Sequence, residues 1–551
     1  MDDVDQPARE LADRYWEDLL ALEPILATEV GDERFDERLP DPSEEGRARR
    51  EAIQRAALTA LEGIERSALD VTTRTTLDVM EAIARRDLDD LEYRFDRFGA
   101  VLHLWGPPGL LAELGSLQRA DTRERRERYL RRLKAIPTYL EEIGKVATDA
   151  AQVGQTVPEV VVDRTIAQVE RLVAGDPADS PALKPLPEDI PDDERQRFVD
   201  AVSREVVPAY ERYLQVLKDY RPRARATIGL SALDRGEEMY AAQVRAWTSL
   251  TLSAKEIHRI GLDDLERIQD ERRQAASRLG FRDARAALAE HEASGLNRAG
   301  SRQELLRLAE EQVRRGWEAA PTMFGRMPRA NCEVRPVEEF READMPFAWY
   351  QSLSPDGSRP GIYYVNTADL DQRPLNHVAT TTYHEANPGH HFQVAIEMEL
   401  EDRPALRRFA GILAGSAFIE GWGLYSERLA DEMGLFVDEY ERIGMLEAQA
   451  WRAARLVVDT GIHVFGWDRD RSIAQLEEAG VPHVDAVVET DRYIGLPGQA
   501  LSYKLGQMEI ERWRAEEGER AGAGFDLKAF HDRLLALGSL PLPALDRELH
   551  A

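Results

Sequence analysis

The sequence contains very little cysteine. Cys332 is the single cysteine among 551 residues. A disulfide framework and a cysteine-rich zinc finger are therefore both excluded, because each needs several cysteines. A reducing compartment is consistent with a chain that has one cysteine.

Long apolar runs and basic patches are also missing. No apolar run approaches the length of about 20 residues that spans a bilayer, and residues 1–30 lack the basic start and apolar core of a signal peptide. We therefore expect a cytoplasmic location and no membrane partner. The net charge is −30, and the arginines between Arg123 and Arg132 alternate with glutamates. Binding to a nucleic-acid backbone is not expected from such a charge balance.

The composition is that of a folded protein. Hydrophobic residues make up 43% of the chain and charged residues 32%, as in ordinary globular proteins. A chain of 551 residues exceeds the size at which one hydrophobic core stops growing. The proline-rich, acidic segment from Asp176 to Glu194 has the composition of a connection. We predict an N-terminal helical lobe at 1–180 and a metal-site lobe at 181–551, intertwined as one catalytic domain.

Most of the chain carries apolar residues at helical spacing, as in the segments Glu124–Ala147 and Leu305–Ala319. Two later segments, Asn331–Val337 and Gly361–Val365, have the β-branched and aromatic content of strands. Ser354–Gly357 between them reads Ser-Pro-Asp-Gly, which is typical of a turn. The sequence therefore predicts a mainly α fold with a small β-sheet that precedes the histidine cluster described next.

Histidines are concentrated in one short stretch. Four of the eleven lie between His377 and His391, and residues 383–391 read Tyr-His-Glu-Ala-Asn-Pro-Gly-His-His. Imidazoles and carboxylates are suitable zinc ligands, and a catalytic zinc takes three protein groups and leaves a fourth position for water. His384 and Glu385 offer one ligand and a neighbouring general base.

The second ligand requires an irregular helix. In the short helical zinc motif the second histidine follows the first by four residues, but here that position holds Pro388. An unbroken helix would separate His384 from His391 by about 10 Å along its axis, too far for two bonds of about 2.1 Å to one ion. Pro388 and Gly389 favour a kink. We prefer His390 as the second ligand, with His391 as the alternative or as a residue that supports a ligand.

The third ligand is expected on another helix. Glu420 follows about thirty residues later in a stretch that a helical hairpin could bring back to the histidines. Glu427 lies seven residues further on the same helical face, where it could orient a ligand histidine. The pair His291 and Glu292 has no partner histidine nearby and is interpreted as incidental.

Residues that could assist catalysis lie further along the chain. A tyrosine hydroxyl can donate to the oxyanion of a hydrolytic intermediate, and Tyr503 is the first candidate and Tyr493 the second; simple packing of either ring is an equal alternative. Arg455 and His463 lie at helical spacing on one charged face, which is often a solvated or ion-paired surface. The functional alternative is that Arg455 binds a substrate carboxylate and His463 helps to bind or stabilise the intermediate.

Four segments together resemble the bacterial family called domain of unknown function 885, which is regarded as zinc-metallopeptidase-like. The matching segments are His384–His391, Glu420–Glu427, Arg455–His463 and Pro497–Gly506. The resemblance covers nearly the whole chain, since Glu29–Asp32 is similar to the family's opening. It implies a large helical fold with a deep cleft, similar to the neurolysin and carboxypeptidase Taq type of gluzincin. It leaves the substrate open.

Together these observations predict a zinc-dependent hydrolase that cleaves peptide or related amide bonds in small oligopeptides. One alternative is a non-haem iron oxygenase, because two histidines and a carboxylate also suit iron. Glu385 argues against it, since zinc hydrolysis uses an adjacent base and an oxygenase does not need one. The other alternative is a non-catalytic helical binding protein with a vestigial metal pocket.

Overall fold

The computed structural model describes residues 5–337, 342, 346–353, 359–400 and 402–551. In these residues the fold is mainly α-helical with three short strands, which confirms the prediction of a mainly α fold with a small β-sheet. The predicted turn at Ser354–Gly357 lies outside the described residues. Among the helices of the described ranges, none is both long and apolar enough to cross a lipid bilayer.

The α-helices are numbered in chain order. The first eleven are α1 Gln6–Leu22, α2 Pro24–Glu29, α3 Glu44–Glu62, α4 Val71–Glu92, α5 Asp96–Gly99, α6 Leu110–Leu117, α7 Arg123–Val153, α8 Glu159–Ala174, α9 Asp192–Ala201, α10 Val207–Tyr220 and α11 Gly236–Thr248. The next seven are α12 Ala254–Arg278, α13 Ala284–Ala293, α14 Arg302–Ala319, α15 Val378–Glu385, α16 His390–Met398, α17 Ala405–Arg408 and α18 Ala410–Leu413. The last seven are α19 Ser416–Glu432, α20 Glu439–His463, α21 Arg469–Glu478, α22 His483–Gly495, α23 Ser502–Ala521, α24 Leu527–Leu537 and α25 Leu542–His550.

Local signals explain where these helices begin and end. The hydroxyl of Thr122 accepts from the Arg125 N–H at the start of α7, and Gly154 ends the helix at a φ of +77° that glycine adopts without strain. At the start of α12, Ser253 and Glu256 form a capping box. Helix α7 thus begins one residue before the predicted segment Glu124–Ala147 and ends six residues after it.

The chain divides into two compact units. The first unit contains the residues up to Ala242 together with Ile462–Arg469 and Val488–Pro497, and the second contains Gln243–Gly461, Asp470–Val487 and Gly498–Ala551. The main division therefore follows Ala242, later in the chain than residue 180. The proline-rich connection contains two short 3-10 turns, Pro177–Asp179 and Pro181–Leu183, within the first unit.

The small sheet belongs to the second unit. Its strands are β1 Glu333–Pro336, β2 Ala348–Gln351 and β3 Ile362–Val365, in the order β1-β3-β2, with β1 parallel and β2 antiparallel to β3. The sequence predicted β1 and β3 and missed β2. This strand is only four residues long and begins with alanine, which strands use less often than β-branched residues.

The sheet packs on α14 and α15, and this contact holds the histidine-bearing segment in place. One apolar cluster joins Leu305 and Val313 of α14 with Tyr363 and Val365 of β3 and with Ala386 at the end of α15. All five residues are buried. The core of this part of the second unit therefore lies directly against the end of the helix that carries His384.

Helices α19 and α23 of the second unit cross at very short range because both carry glycine at the crossing. A Cβ atom added at Gly421 would lie 2.4 Å from the carbonyl carbon of Gly506, and one added at Gly506 would lie 1.8 Å from the carbonyl oxygen of Ala417. Backbone atoms cannot move aside as a flexible side chain can. The two glycines therefore set how closely Glu420 on α19 approaches α23.

Gly506→Ala is expected to lower the free energy of unfolding by about 2–3 kcal/mol, because an added methyl group in a close-packed contact forces the backbones apart. Chemical denaturation measures this change. Gly518→Ala on the same helix is the matched control, since its Cβ would meet nothing closer than 4.0 Å. The control is expected to be neutral or to stabilise by about 0.5–1 kcal/mol, as alanine does in helix interiors. Equal effects of both substitutions would contradict the crossing argument.

Candidate metal centre

The histidine motif folds as two helices joined by a tight break. Helix α15 ends at Glu385 and α16 begins at His390. A Cβ atom at Gly389 would lie 1.9 Å from the carbonyl oxygen of His384, so only glycine permits so sharp a turn. The irregular helix predicted at Pro388 and Gly389 is therefore what the structure contains.

Helix α19 supports this break through side chains. The indole N–H of Trp422 donates to the backbone carbonyl oxygen of Pro388 at 2.9 Å. The hydroxyl of Ser426 donates to the backbone carbonyl oxygen of Tyr383, also at 2.9 Å. Carbonyl groups at an interrupted helix lack their usual partners. Trp422 and Ser426 supply partners for two of them, and in doing so they align Glu420 on the same helix with the histidines.

The break brings together His384, His390 and Glu420, whose nearest ligand atoms all lie within 4.8 Å of one another. The imidazole centroids of His384 and His390 are 4.6 Å apart. Nε2 of His384 is 3.9 Å from Oε2 of Glu420, and Nε2 of His390 is 3.6 Å from the same oxygen. Tetrahedral zinc with bonds of about 2.1 Å separates its ligand atoms by about 3.4 Å. The three groups therefore fit one such ion with small adjustments.

Glu427 lies behind His384 and fixes its orientation. The Nδ1 atom of His384 is 2.9 Å from Oε1 of Glu427, a side chain that is 1% exposed. Glu427 accepts the Nδ1 proton of His384 and leaves Nε2 as the nitrogen available to a metal, which is the arrangement of a metal-binding imidazole supported by a carboxylate. Burial lowers the pKa of His384, but the nearby carboxylate of Glu420, the hydrogen bond to Glu427 and the charge of Glu385 raise it to about 9.

These charges make the site attractive to a cation. Burial favours the neutral form of Glu420, yet the adjacent imidazoles of His384 and His390 hold its pKa well below the ordinary value. Burial acts in the same way on Glu427, and the hydrogen bond from His384 lowers its pKa as well. Both carboxylates are therefore ionised, and their negative charge beside the two imidazoles favours a bound positive ion.

Gly423 makes room for both imidazoles against α19. A Cβ atom added there would lie 2.8 Å from Nε2 of His384 and 2.9 Å from Cε1 of His390. Real Cβ atoms do not tolerate contacts this short, so a side chain at this position would displace the two rings. Gly423 follows Glu420 by three residues and was not predicted as a site residue. A glycine inside a helix costs stability, so its presence there is a signal that another group approaches the backbone closely.

His391 faces a different set of partners. Its Nε2 lies 2.9 Å from the carbonyl oxygen of Ala330, and its Nδ1 lies 3.2 Å from the hydroxyl of Tyr350. Nε2 therefore carries the proton that Ala330 accepts, and Tyr350 donates to Nδ1. Burial lowers the pKa of His391 to about 4. The structure groups His390, not His391, with His384 and Glu420.

The candidate base, Glu385, is held by the small sheet. The backbone N–H of Tyr350 in β2 donates to Oε2 of Glu385 at 2.9 Å. This contact leaves Oε1 to accept a proton. The contribution of Tyr350 was missed in the sequence because the strand that carries it was missed.

Tyr503 and Arg455 lie beside His384. The ring of Tyr503 stacks on the imidazole of His384 with centroids 6.4 Å apart. The guanidinium carbon of Arg455 lies 4.4 Å from the centroid of Tyr503 and 5.2 Å from that of Trp451. Two aromatic faces thus hold a buried arginine in a fixed position. The structure therefore brings both predicted residues to the neighbourhood of the histidine cluster.

His463 and Tyr493 belong to the first unit and are bonded within it. Nε2 of His463 donates to the carbonyl oxygen of Tyr493 at 2.9 Å, and Nδ1 accepts from the N–H of Leu230 at 3.4 Å. Burial lowers the pKa of His463 to about 3. The hydroxyl of Tyr493 donates to Glu489. These contacts are those of packed side chains, and we assign neither residue a part in the proposed chemistry.

Elsewhere in the described ranges, one other group of potential metal ligands lies on the surface of the second unit and consists of Glu516, Asp546 and His550. Arg512 forms ion pairs with Glu516 at 2.9 Å and with Asp546 at 2.6 Å. Its charge therefore already compensates the two carboxylates. Exposed pairs of this kind contribute little, and we assign no metal to this group.

The family comparison covers almost the full length of the chain. The model of the family DUF885, described as "Bacterial protein of unknown function", matches residues 24–549. The chain belongs to this family. A comparison with curated proteins gives no match. Membership of DUF885 therefore confirms the family resemblance seen in the histidine and glycine motifs, and it carries no assigned activity.

Two solved structures share the fold of this DUF885 protein. One, described as "the putative lipoprotein from Colwellia psychrerythraea", is 27% identical, covers 100% of this chain and 99% of its own, and has a TM-score of 0.91. The other, "a putative lipoprotein of unknown function from Shewanella oneidensis", is 20% identical over 98% and 99% of the two chains, with a TM-score of 0.78. At that identity the second likeness concerns the fold alone. The cytoplasmic location expected from the sequence stays a prediction.

Proposed function

We propose that this protein is a zinc-dependent hydrolase that cleaves peptide or related amide bonds in small oligopeptides, with a gluzincin-like active site. The observation that supports the proposal most directly is the meeting of His384, His390 and Glu420 at distances suited to one ion. Glu385 adjoins the first of these ligands, and Glu427 supports the same imidazole. A mere structural metal site would not need the adjacent base.

The chemistry of the donor set fits zinc. Two imidazole nitrogens and one carboxylate oxygen are typical of catalytic zinc, which leaves one position for water. Nδ1 of His390 is buried and has no hydrogen-bond partner among the described residues, and its Nε2 is the nitrogen that lies 3.6 Å from Oε2 of Glu420. When bound, zinc supplies an acidified water and a Lewis acid that polarises the scissile carbonyl.

The chain's own residues complete the reaction. Glu385 accepts the proton of the attacking water at the oxygen that Tyr350 does not occupy, and then passes it to the leaving amine. Glu427 holds the Nδ1 proton of His384 throughout. In this proposal the hydroxyl of Tyr503 donates to the oxyanion of the substrate.

Arg455 adds a preference for a class of substrate. A guanidinium fixed between two aromatic rings is suited to bidentate binding of a carboxylate. In the proposed reaction it binds a carboxylate of the peptide, so peptides with a free carboxyl terminus are expected to be better substrates than their amidated counterparts. A mixed peptide library offered in both forms measures this preference.

Removal of the metal tests the proposal as a whole. Treatment with a chelator is expected to abolish cleavage of the library, and addition of Zn²⁺ to restore it, because the reaction depends on an activated water. Elemental analysis of the purified protein identifies the ion. Iron in place of zinc would support an oxygenase, and no metal together with no cleavage would support a non-catalytic binding protein.

A further inference from the structure

Gln449 of α20 connects the metal centre with the interior of the second unit. Its Nε2 donates to Oε2 of Glu427 at 3.1 Å and to the carbonyl oxygen of Leu424 at 3.1 Å. Gln449 itself is fully buried. Both acceptors lie on the α19 side of the glutamine, so its amide nitrogen must face the carboxylate that supports His384.

The other side of Gln449 meets a buried lysine. Nζ of Lys504 donates to Oε1 of Gln449 at 3.0 Å and to Oε1 of Gln507 at 2.7 Å, and it forms an ion pair with Asp264 at 3.0 Å. Lys504 is 1% exposed. An ammonium group needs acceptors for its three protons when it is buried, and these three oxygens provide them.

The direction of every hydrogen bond in this chain of contacts is determined. Lysine only donates, so Gln449 must turn its oxygen towards Lys504 and its nitrogen towards Glu427. Nε2 of Gln507 donates to the same oxygen of Gln449 at 3.0 Å. Lys504 sets that orientation too, because its Nζ donates to Oε1 of Gln507 and so turns the Gln507 nitrogen towards Gln449. Both oxygens of Glu427 then accept, Oε2 from Gln449 and Oε1 from Nδ1 of His384, as those of an ionised carboxylate do. The result is that Nε2 of His384, which lies 3.9 Å from Oε2 of Glu420, is the nitrogen available to a metal. Burial lowers the pKa of Lys504, and the charge of Asp264 opposes this shift.

We propose that Lys504 and Gln449 are positioning residues for metal binding, which act in series through Glu427 to hold His384 in its metal-binding orientation. This inference rests on the metal site of the proposed function. It assigns to a buried lysine, which lies three contacts away from the ligand atom, an effect on affinity for the ion. A lysine that only filled space would have no such effect.

A double-mutant cycle on Zn²⁺ affinity tests the series arrangement. Gln449→Met removes the direct donor to Glu427 and is expected to weaken Zn²⁺ binding by about 10–100-fold, as loss of partners of metal ligands does. Lys504→Met is expected to weaken it by about tenfold, a value at the lower end of that range. The double variant is expected to bind Zn²⁺ as Gln449→Met does, because Lys504 acts only through Gln449. Competition with a chromophoric chelator measures all four affinities.

Two features keep the cycle interpretable. Asp264 retains its ion pair with Arg267 when Lys504 is replaced, so no carboxylate is left unpaired. Arg272→Met is the matched control: Arg272 is another buried cation of the second unit, paired with Glu447 at 3.2 Å, and it has no contact with Gln449 or Glu427 among its hydrogen bonds. The control is expected to lower the thermal midpoint and to leave the Zn²⁺ affinity unchanged.

The outcomes separate this inference from the proposed function. Unchanged affinity in Gln449→Met, or additive losses in the double variant, would overturn the series arrangement and leave the metal site standing. Absence of Zn²⁺ binding by the unsubstituted protein would overturn both. Non-additive losses with no cleavage of any peptide would support the positioning role and overturn the proposed hydrolase.

Discussion

Glu385→Gln is expected to keep the bound metal and to lower turnover by about a thousandfold, within the range of about 10²–10⁴ that general base catalysis contributes. The amide oxygen of glutamine can still accept from the Tyr350 N–H, as Oε2 of Glu385 does at 2.9 Å. The amide nitrogen cannot accept a proton from water. The geometry is thus preserved while the base is lost, and the rate of peptide cleavage together with elemental analysis measures the two properties separately.

Glu318→Gln on α14 is the matched control for this substitution. Glu318 is an exposed residue paired with Arg314 at the surface, where ion pairs contribute little. It is expected to retain full activity. Hydrolysis at the original rate by Glu385→Gln would remove Glu385 from the role of base, and loss of the metal would show that Glu385 supports the ion.

Glu420→Gln is expected to lower Zn²⁺ affinity by more than about 100-fold, which is the upper end of the effect of residues that only support ligands. Glu420 provides the single carboxylate among the three ligands, and both histidine Nε2 atoms lie within 3.9 Å of its Oε2. The neutral amide removes the charge that attracts the ion. Chelator competition measures the affinity, and cleavage is expected to disappear with the metal.

Two further variants on the same helix calibrate that result. Glu427→Gln is expected to weaken binding less than Glu420→Gln does, because Glu427 supports a ligand and does not contact the ion. Glu432→Gln is expected to have no effect on the affinity, since Glu432 pairs with Arg514 at the surface. An unchanged affinity in Glu420→Gln would exclude Glu420 as a ligand.

The sequence predicts the fold class and most of the small sheet because these depend on local patterns. The helix at Glu124–Ala147 and the strand at Gly361–Val365 appear close to the predicted positions. Strand β2 escaped prediction because its stability comes from pairing with β3, not from its own four residues. The division after Ala242 depends on which helices pack together, and no local composition marks it.

At the site, the sequence predicts the residue types and their order but not their contacts. The sequence shows both the Pro-Gly break and the later helix. For this reason it predicts as candidate metal ligands the three residues that the structure brings together, His384, His390 and Glu420. His463 shares a predicted helix face with Arg455 and was a candidate for the same reason. In the structure its ring nitrogens bond to the backbone of Leu230 and Tyr493 instead. Gln449 was missed because a buried glutamine has no spacing rule, and its partners lie on two other helices.

The proposed ligand Glu420 and Gly423, where the absence of a side chain leaves room for the two imidazoles, lie almost one turn apart on the same helix. Insertion or deletion of a single residue between them would rotate Gly423 by about 100° around the helix axis. The imidazoles of His384 and His390 would then contact a side chain where Gly423 has none, while the carboxylate of Glu420 would still face them. The length of this one turn is therefore fixed by the site, whereas length changes in surface loops of the protein face no such constraint.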